Sequence, residues 1–233
     1  MYTVNMFQSL ITQGDAKTIK GIKLGYKTGI MYLSPANESG VINVCPSASV
    51  GCMAMCLNTA GRGQMSMVQE VRRSRTIYLK TNPKEFAAQL EIEVGKVVKS
   101  ARRAGMIPAI RVNGTSDLPR LVTPLLGKFP DVQFYDYTKI PEPWKRVRSN
   151  YDLTFSRSET NEKECLEALA HGINVAVVFS TKKTEKLPDE YLGFEVINGD
   201  EHDLRFLDKK GVIVGLTAKG RAKKDTSGFV VRV

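Results

Sequence analysis

The 233-residue chain carries 34 Lys and Arg against 24 Asp and Glu, a formal charge of +10, with 42% hydrophobic and 25% charged residues. That balance is ordinary for a folded globular domain and excludes a disordered, collagenous or coiled-coil chain. No apolar run approaches the roughly 18 residues that a bilayer span needs, so a membrane protein is excluded too.

The N-terminal MYTVNMFQSLITQGD has no basic start followed by a long apolar core, and the expectation is a soluble cytoplasmic protein. The first informative segment is SPANESGVINVCPSASVGCMAMCLNTAGRG, residues 34–63. VINV reads as a strand delivering Cys45 to its C-terminal end. A helix is expected from Met65 to about Lys80. Asn82 is a plausible N-cap for the next one, with Pro83 at its first position and Glu85 at capping-box spacing. Phe86, Leu90, Val94, Val97, Val98 and Ala101 share its apolar face, and Gly105 is placed to end it.

IPAIRV then reads as a buried strand running into the turn NGTSD. A short helix around Leu121–Leu126 follows, held short by Pro124. VQFYDYTK and YDLTFSRSE are strands, and a helix from about Asn161 to Ala170 closes at Gly172, with Ser158 or Thr160 as its N-cap. INVAVVFS is apolar throughout, as in strands buried on both faces of a parallel sheet. FEVINGD and VIVGLTAKG add two more strands, the second closing in a basic tail. No linker or repeat divides the chain. The expected fold is a single α/β domain over 1–233, a mainly parallel sheet with alternating helices forming a complete or partial βα barrel. Residues 1–64 form its N-terminal segment with the cysteine loop, and 65–233 its alternating units.

The strands end in polar clusters: Arg111, Asn113 and Asp117; Tyr137 and Lys139; Ser156, Arg157, Ser158 and Glu159; Ser180; Asn198 and Asp200; Thr217 and Lys219. Ligands of parallel α/β folds bind at that edge. Asp117, Lys139 and Asp200 are therefore candidates to touch a substrate, although many such residues only cap turns.

Cys45, Cys52 and Cys56 lie within twelve positions, separated by six and three residues. Three thiolates on a loop of small residues can close on one soft centre. Structural zinc normally takes four ligands, often in pairs two residues apart. An iron–sulfur cluster of the 4Fe-4S kind, with three cysteine ligands and one open iron, fits the spacing better. Zinc, or three small core thiols, are the alternatives. Cys165 stands alone on a helix and reads as a core thiol. His171 suits the end of that helix, where a partly charged ring favours the dipole. His202 could be an acid–base group or a fourth ligand, but a lone loop histidine is usually neither.

Residues 61–105 hold ten basic side chains against four acidic ones, more than half of the whole positive excess. Arg62, Arg72, Arg73 and Arg75 lead this patch, which would attract a nucleic acid or nucleotide by counterion release. The alternative function is then a basic nucleic-acid-binding protein whose metal site only staples a loop; the bland reading is a set of solvated helix faces.

The run YKTGIMYLSPANESGVINVCPSASVGCMAMCLNTAGRG resembles the opening of the phage and plasmid family known as gene product eighty-eight. RVNGTSDLP, FYDYTK, FSRSE and NGDEHDLRF are similar in type to its strand ends. The resemblance implies a phage or mobile-element origin, with the host cytoplasm as location and a host factor as a conceivable partner, more than an activity. A more distant similarity is to radical S-adenosylmethionine enzymes, which also place three cysteines after the first barrel strand. It implies a cluster on Cys45, Cys52 and Cys56, with S-adenosylmethionine held by Arg111, Asn113, Ser156 and Asn198 and chemistry on a nucleotide or nucleic acid. Its usual cysteine gaps of three and two residues, and its glycine-rich motif after the second strand, are not found here.

Overall fold

Alternating strands and helices build one nine-stranded sheet in a computed structural model that describes residues 9–14, 16–182 and 184–233. In chain order the strands are β1 (Ile11–Thr12), β2 (Tyr26–Met31), β3 (Ile107–Arg111), β4 (Gln133–Thr138), β5 (Tyr151–Ser156), β6 (Val175–Phe179), β7 (Glu190–Tyr191), β8 (Phe194–Asn198) and β9 (Ile213–Thr217). The helices are α1 (Ala16–Ile22), α2 (Val50–Ala54), α3 (Ser66–Thr81), α4 (Pro83–Arg103), α5 (Pro119–Lys128) and α6 (Glu162–Ala170). Across the sheet the order is β1-β2-β3-β4-β5-β6-β9-β8-β7. Every pair from β2 to β8 is parallel, and the two-residue β1 and β7 add antiparallel edges. Strand pairing leaves both edges open, so hydrogen bonds do not close a barrel among the described residues.

Side chains alternate between two faces along each strand. On one face Met31, Ile110, Phe134 and Leu153 pack with Phe86, Leu90, Val94 and Val97 of α4 and with Val122 and Leu125 of α5. Phe155, Val175, Val177, Phe179 and Ile213 continue that layer against Cys165, Ala168 and Leu169 of α6. Cys165 is fully buried, as a core thiol should be. The opposite face is covered by residues 199–208, whose Leu204 and Phe206 pack on Tyr26, Ala109 and Tyr135.

Several local expectations are corrected. VINV is a loop: the Val44 N–H donates to the Ala36 carbonyl and its carbonyl accepts from Asp117, so the segment has no strand partner. Asn82 precedes α4 but makes no side-chain cap; its Oδ1 accepts the Thr81 hydroxyl at 2.8 Å. The N-cap position of α6 is Asn161 rather than Ser158 or Thr160, and Asn161 Oδ1 accepts from the Ser158 N–H. Helix α5 runs through Pro124, and the carbonyl this leaves without its helical donor belongs to Arg120, an exposed residue. Gly105 and Gly172 do end their helices, at φ +64 and +74.

The edge strand β1 is tied down by one carboxylate. Glu93 of α4 accepts from the N–H groups of Leu10 and Ile11, both at 2.8 Å, from the Ser9 hydroxyl at 2.9 Å and from Gln89 at 2.8 Å. Burial pushes this carboxyl up, but the donors outweigh it and hold it below the usual carboxylate range. Its contribution is therefore present above the unfolded carboxyl's pKa and lost as pH falls through the folded one. Urea denaturation of Glu93→Gln at pH 7 should show a loss of about 1–3 kcal/mol. The gap from the parent should shrink below about pH 4; a pH-independent gap would contradict this role.

Candidate functional site

Beyond Met31 the chain leaves the C-terminal edge of the sheet and forms the cysteine loop. The Thr115 hydroxyl donates to the Leu33 carbonyl at 2.5 Å, and the Asp117 N–H to the Val44 carbonyl at 2.8 Å. On the other side, the Ser34 N–H donates to Thr76 Oγ1 of α3 at 2.9 Å. The start of α2 is held by Glu159, which follows β5. Its Oε2 accepts the Ser49 hydroxyl at 2.8 Å and its Oε1 the Gly51 N–H at 2.7 Å. Ser49 Oγ in turn accepts the Cys52 N–H at 3.1 Å. A Cβ on Gly51 would fall 2.6 Å from Glu159 Oε2, so glycine is what lets the carboxylate reach the backbone. Burial acts to raise the Glu159 carboxyl, but its own N–H, the Gly51 N–H and the Ser49 hydroxyl hold it below its ordinary range.

The loop brings Cys45, Cys52 and Cys56 to one pocket of about 210 Å³, walled by Pro35, Ala36, Asn37, Glu38, Ala48 and Met53. Cys45 Sγ lies 3.5 Å from the Ala36 N–H, which donates to it, and 3.5 Å from the Thr115 carbonyl. Burial pushes the Cys45 thiol up to about 12; the Ala36 N–H opposes the shift, while Cys56, Cys52 and Asp117 add to it. Burial also raises Cys56, against the Asn58 N–H, with Cys52 and Glu38 raising it further and Arg72 opposing. Beside Cys56, Asn58 donates to Glu38 at 2.7 Å and accepts from Arg72, whose guanidinium lies 4.9 Å from the Tyr32 ring centre. Cys52 packs toward Ala218, Ala222, Phe229 and Val230 near the C-terminus.

Among the described residues, no three His, Cys, Asp or Glu side chains converge tightly enough to hold a single metal ion. All three cysteines nonetheless line the same pocket. Neither histidine joins them in lining it. His171 stacks on Trp144 with ring centres 3.9 Å apart, its Nδ1 hydrogen-bonded to the Glu167 carbonyl. His202 Nδ1 lies 3.1 Å from the buried Arg205; burial and that cation lower its pKa.

The other strand-end residues are largely engaged within the chain. Arg111 pairs with Asp203 at 2.9 Å, both buried, and lies 4.5 Å from the Tyr137 ring centre. Burial alone would lower Arg111, but Asp203 holds it above its ordinary value. Asn113 bonds Asp136 through N–H and Nδ2 and accepts from Ser116 and the Leu118 N–H. Arg111 and Asn113 accordingly serve the interior, where a barrel enzyme would hold its cofactor. Ser156 ends β5. Asn198, exposed at the end of β8, bonds Glu201 and the Asp200 N–H.

Asp117 accepts from the Thr138 hydroxyl and the Lys139 N–H, and burial raises its carboxyl. Lys139 sits 5.6 Å from the Phe229 ring centre, and Asp200 binds Thr217 and Lys219. Arg62 and Arg73 are exposed, whereas Arg75 is buried and spends its guanidinium on the carbonyls of Ser9 and Tyr32. The basic face expected of all four arginines therefore lacks Arg75. Sequence reasoning passed over Glu38 and Asn58, and listed Glu159 without its role; no periodicity marks contacts between loops so far apart.

The sequence model of the family described as Gene product 88 matches residues 9–233. No curated protein and no solved structure matches the chain, so neither comparison supports the likeness to radical S-adenosylmethionine enzymes. Among the described residues, no helix is long and apolar enough to cross a membrane.

The thiol environment predicts a reactivity. In metal-free folded protein, Cys45 should alkylate roughly a hundredfold more slowly at pH 8 than an exposed thiol, because only the thiolate attacks. The rate should climb with pH up to pH 10, as read by peptide mass spectrometry. Alkylation at the rate of an exposed thiol would contradict the buried geometry.

Proposed function

The chain belongs to the gene product 88 family, and we propose, from its cysteine pocket, that it is an iron–sulfur protein whose cluster is held by Cys45, Cys52 and Cys56. The observation that carries this reading is the common pocket lined by all three thiols at the edge of a parallel sheet. Zinc asks for four ligands at about 2.0–2.3 Å around one point, which the described residues do not present. An iron–sulfur cluster can take three cysteine ligands and leave one iron open, which matches the three cysteines that line the pocket.

A metal bound here would hold the sulfurs as thiolates, their protons leaving to water. When bound, such a cluster supplies one-electron transfer. The chain's own part is to position the sulfurs and limit solvent. Glu159 fixes the turn before Cys52, Thr115 and Asp117 strap the stretch around Cys45, and the Ala36 N–H points at Cys45 Sγ, where a donor tunes a ligating sulfur. The reading stops at the cluster, because Arg111 and Asn113 are engaged within the fold.

Anaerobic reconstitution with ferrous iron and sulfide should give brown protein with about four iron atoms per chain. The triple variant C45A/C52A/C56A should stay colourless, and Cys165→Ala should load like the parent. Parent protein that remains colourless and iron-free, or equal loading of the triple variant, would overturn the proposal.

A further inference from the structure

After β9 the chain makes a single 3-10 turn, Gly220–Lys224, carrying Arg221, Lys223 and Lys224. Gly220 has φ +57, and a Cβ there would fall 2.7 Å from the Thr59 carbonyl oxygen and 3.0 Å from the Ala60 Cβ. Glycine thus allows the turn to rest on the end of the cysteine loop, two residues before Arg62. The contact is held from beneath. Ala222 packs with Ala218, Phe229 and Val230, and Cys52 and Met55 close on that group. Buried Asp225 accepts from the N–H groups of Ser227 and Val230, at 3.0 and 2.8 Å, and from the Ser227 hydroxyl at 2.7 Å.

Arg62, Arg221, Lys223 and Lys224 are exposed, and among the described residues none has a side-chain hydrogen bond or ion pair. The carboxylates around them are already engaged: Asp225 as above, Glu159 by Ser49 and Gly51, Asp200 by Thr217 and Lys219. Several lysines elsewhere on the surface do meet a carboxylate, as in Lys186–Asp189 and Lys209–Glu195. Here, among the described residues, none of the four cations meets a carboxylate partner.

We infer that Arg62 and the Gly220–Lys224 turn form a binding face for the phosphate backbone of a nucleic acid, beside the cysteine loop. Every exposed side chain from Lys219 to Lys224 is cationic. Protein interfaces centre on apolar or aromatic anchors and are depleted in lysine, so this turn fits a polyphosphate better than an acidic protein. With no aromatic ring in the turn, the contact positions a backbone and reads no bases. The face stands whatever the cysteines hold.

The test is fluorescence anisotropy of the full chain with a labelled mixed-sequence DNA of about 20 nucleotides, as single strand and as duplex, across a salt series. Replacing Arg221, Lys223 and Lys224 by alanine should weaken binding at least about tenfold at low salt. It should also reduce the log–log salt slope by about two on the single strand and slightly more on the duplex. K84A/K96A/K99A removes the same charge from exposed positions of α4 and should keep the parent slope. Both variants should retain the parent's thermal transition. Absence of binding by the parent at low salt would overturn the inference. So would equal losses in both variants, or competition by polyglutamate as effective per charge as DNA.

Discussion

The site depends on one carboxylate reaching across the mouth of the sheet. Glu159, one strand end away from the polar cluster of Asp117 and Lys139, grips Ser49 and Gly51 at the entrance to a helix of only five residues. So short a helix has little stability of its own, because nucleation costs more than a single turn returns. Its orientation comes from that external grip. Ser49 passes the constraint on to the Cys52 backbone, while the strap from Thr115 and Asp117 sets Cys45 on the opposite side. Loops from β3 and β5, together with the chain leaving β2, therefore decide where three sulfurs stand. A parallel sheet makes this convergence natural, since its strand ends lie along one edge.

The interior face of the sheet tells a different story from its rim. Arg111 and Asp203 form a buried ion pair, Tyr135 and Tyr137 surround it, and Phe206 lies edge-on to Tyr26 and Tyr135. Breaking such a pair by removing one partner leaves a buried charge and typically costs about 3–5 kcal/mol. Arg111 and Asp203 therefore tie β3 to residues 199–208. The cysteine pocket and the cationic turn beside it lie outside this buried network.

Much of the architecture was legible from periodicity. The stripe from Phe86 to Ala101, the glycines at 105 and 172 and the apolar run at 175–179 each report a local physical demand, and each lies where that demand predicts. VINV misled because alternation signals a strand only when a neighbouring strand supplies hydrogen bonds; Val44 finds its partners in Ala36 and Asp117. The two-residue β1 and β7 are too short to leave a pattern. Arg75 looked like its exposed neighbours in composition, yet helix α3 turns it inward to the Ser9 carbonyl. The cysteine spacing pointed to one locus, and the three residues do line one pocket, but nothing local announced Glu159 as the anchor of that loop or the proximity of Gly220 to Thr59. Those are contacts between distant segments, which only the folded chain brings together.

Diffraction from anaerobically grown crystals at the iron absorption edge tests most directly the proposal that three sulfurs meet one inorganic centre. A bound cluster should give a single anomalous peak in the pocket between Pro35 and Met53, within bonding reach of Sγ of Cys45, Cys52 and Cys56. Iron density elsewhere in the chain, or a pocket without iron whose thiols turn to separate neighbours, would contradict it.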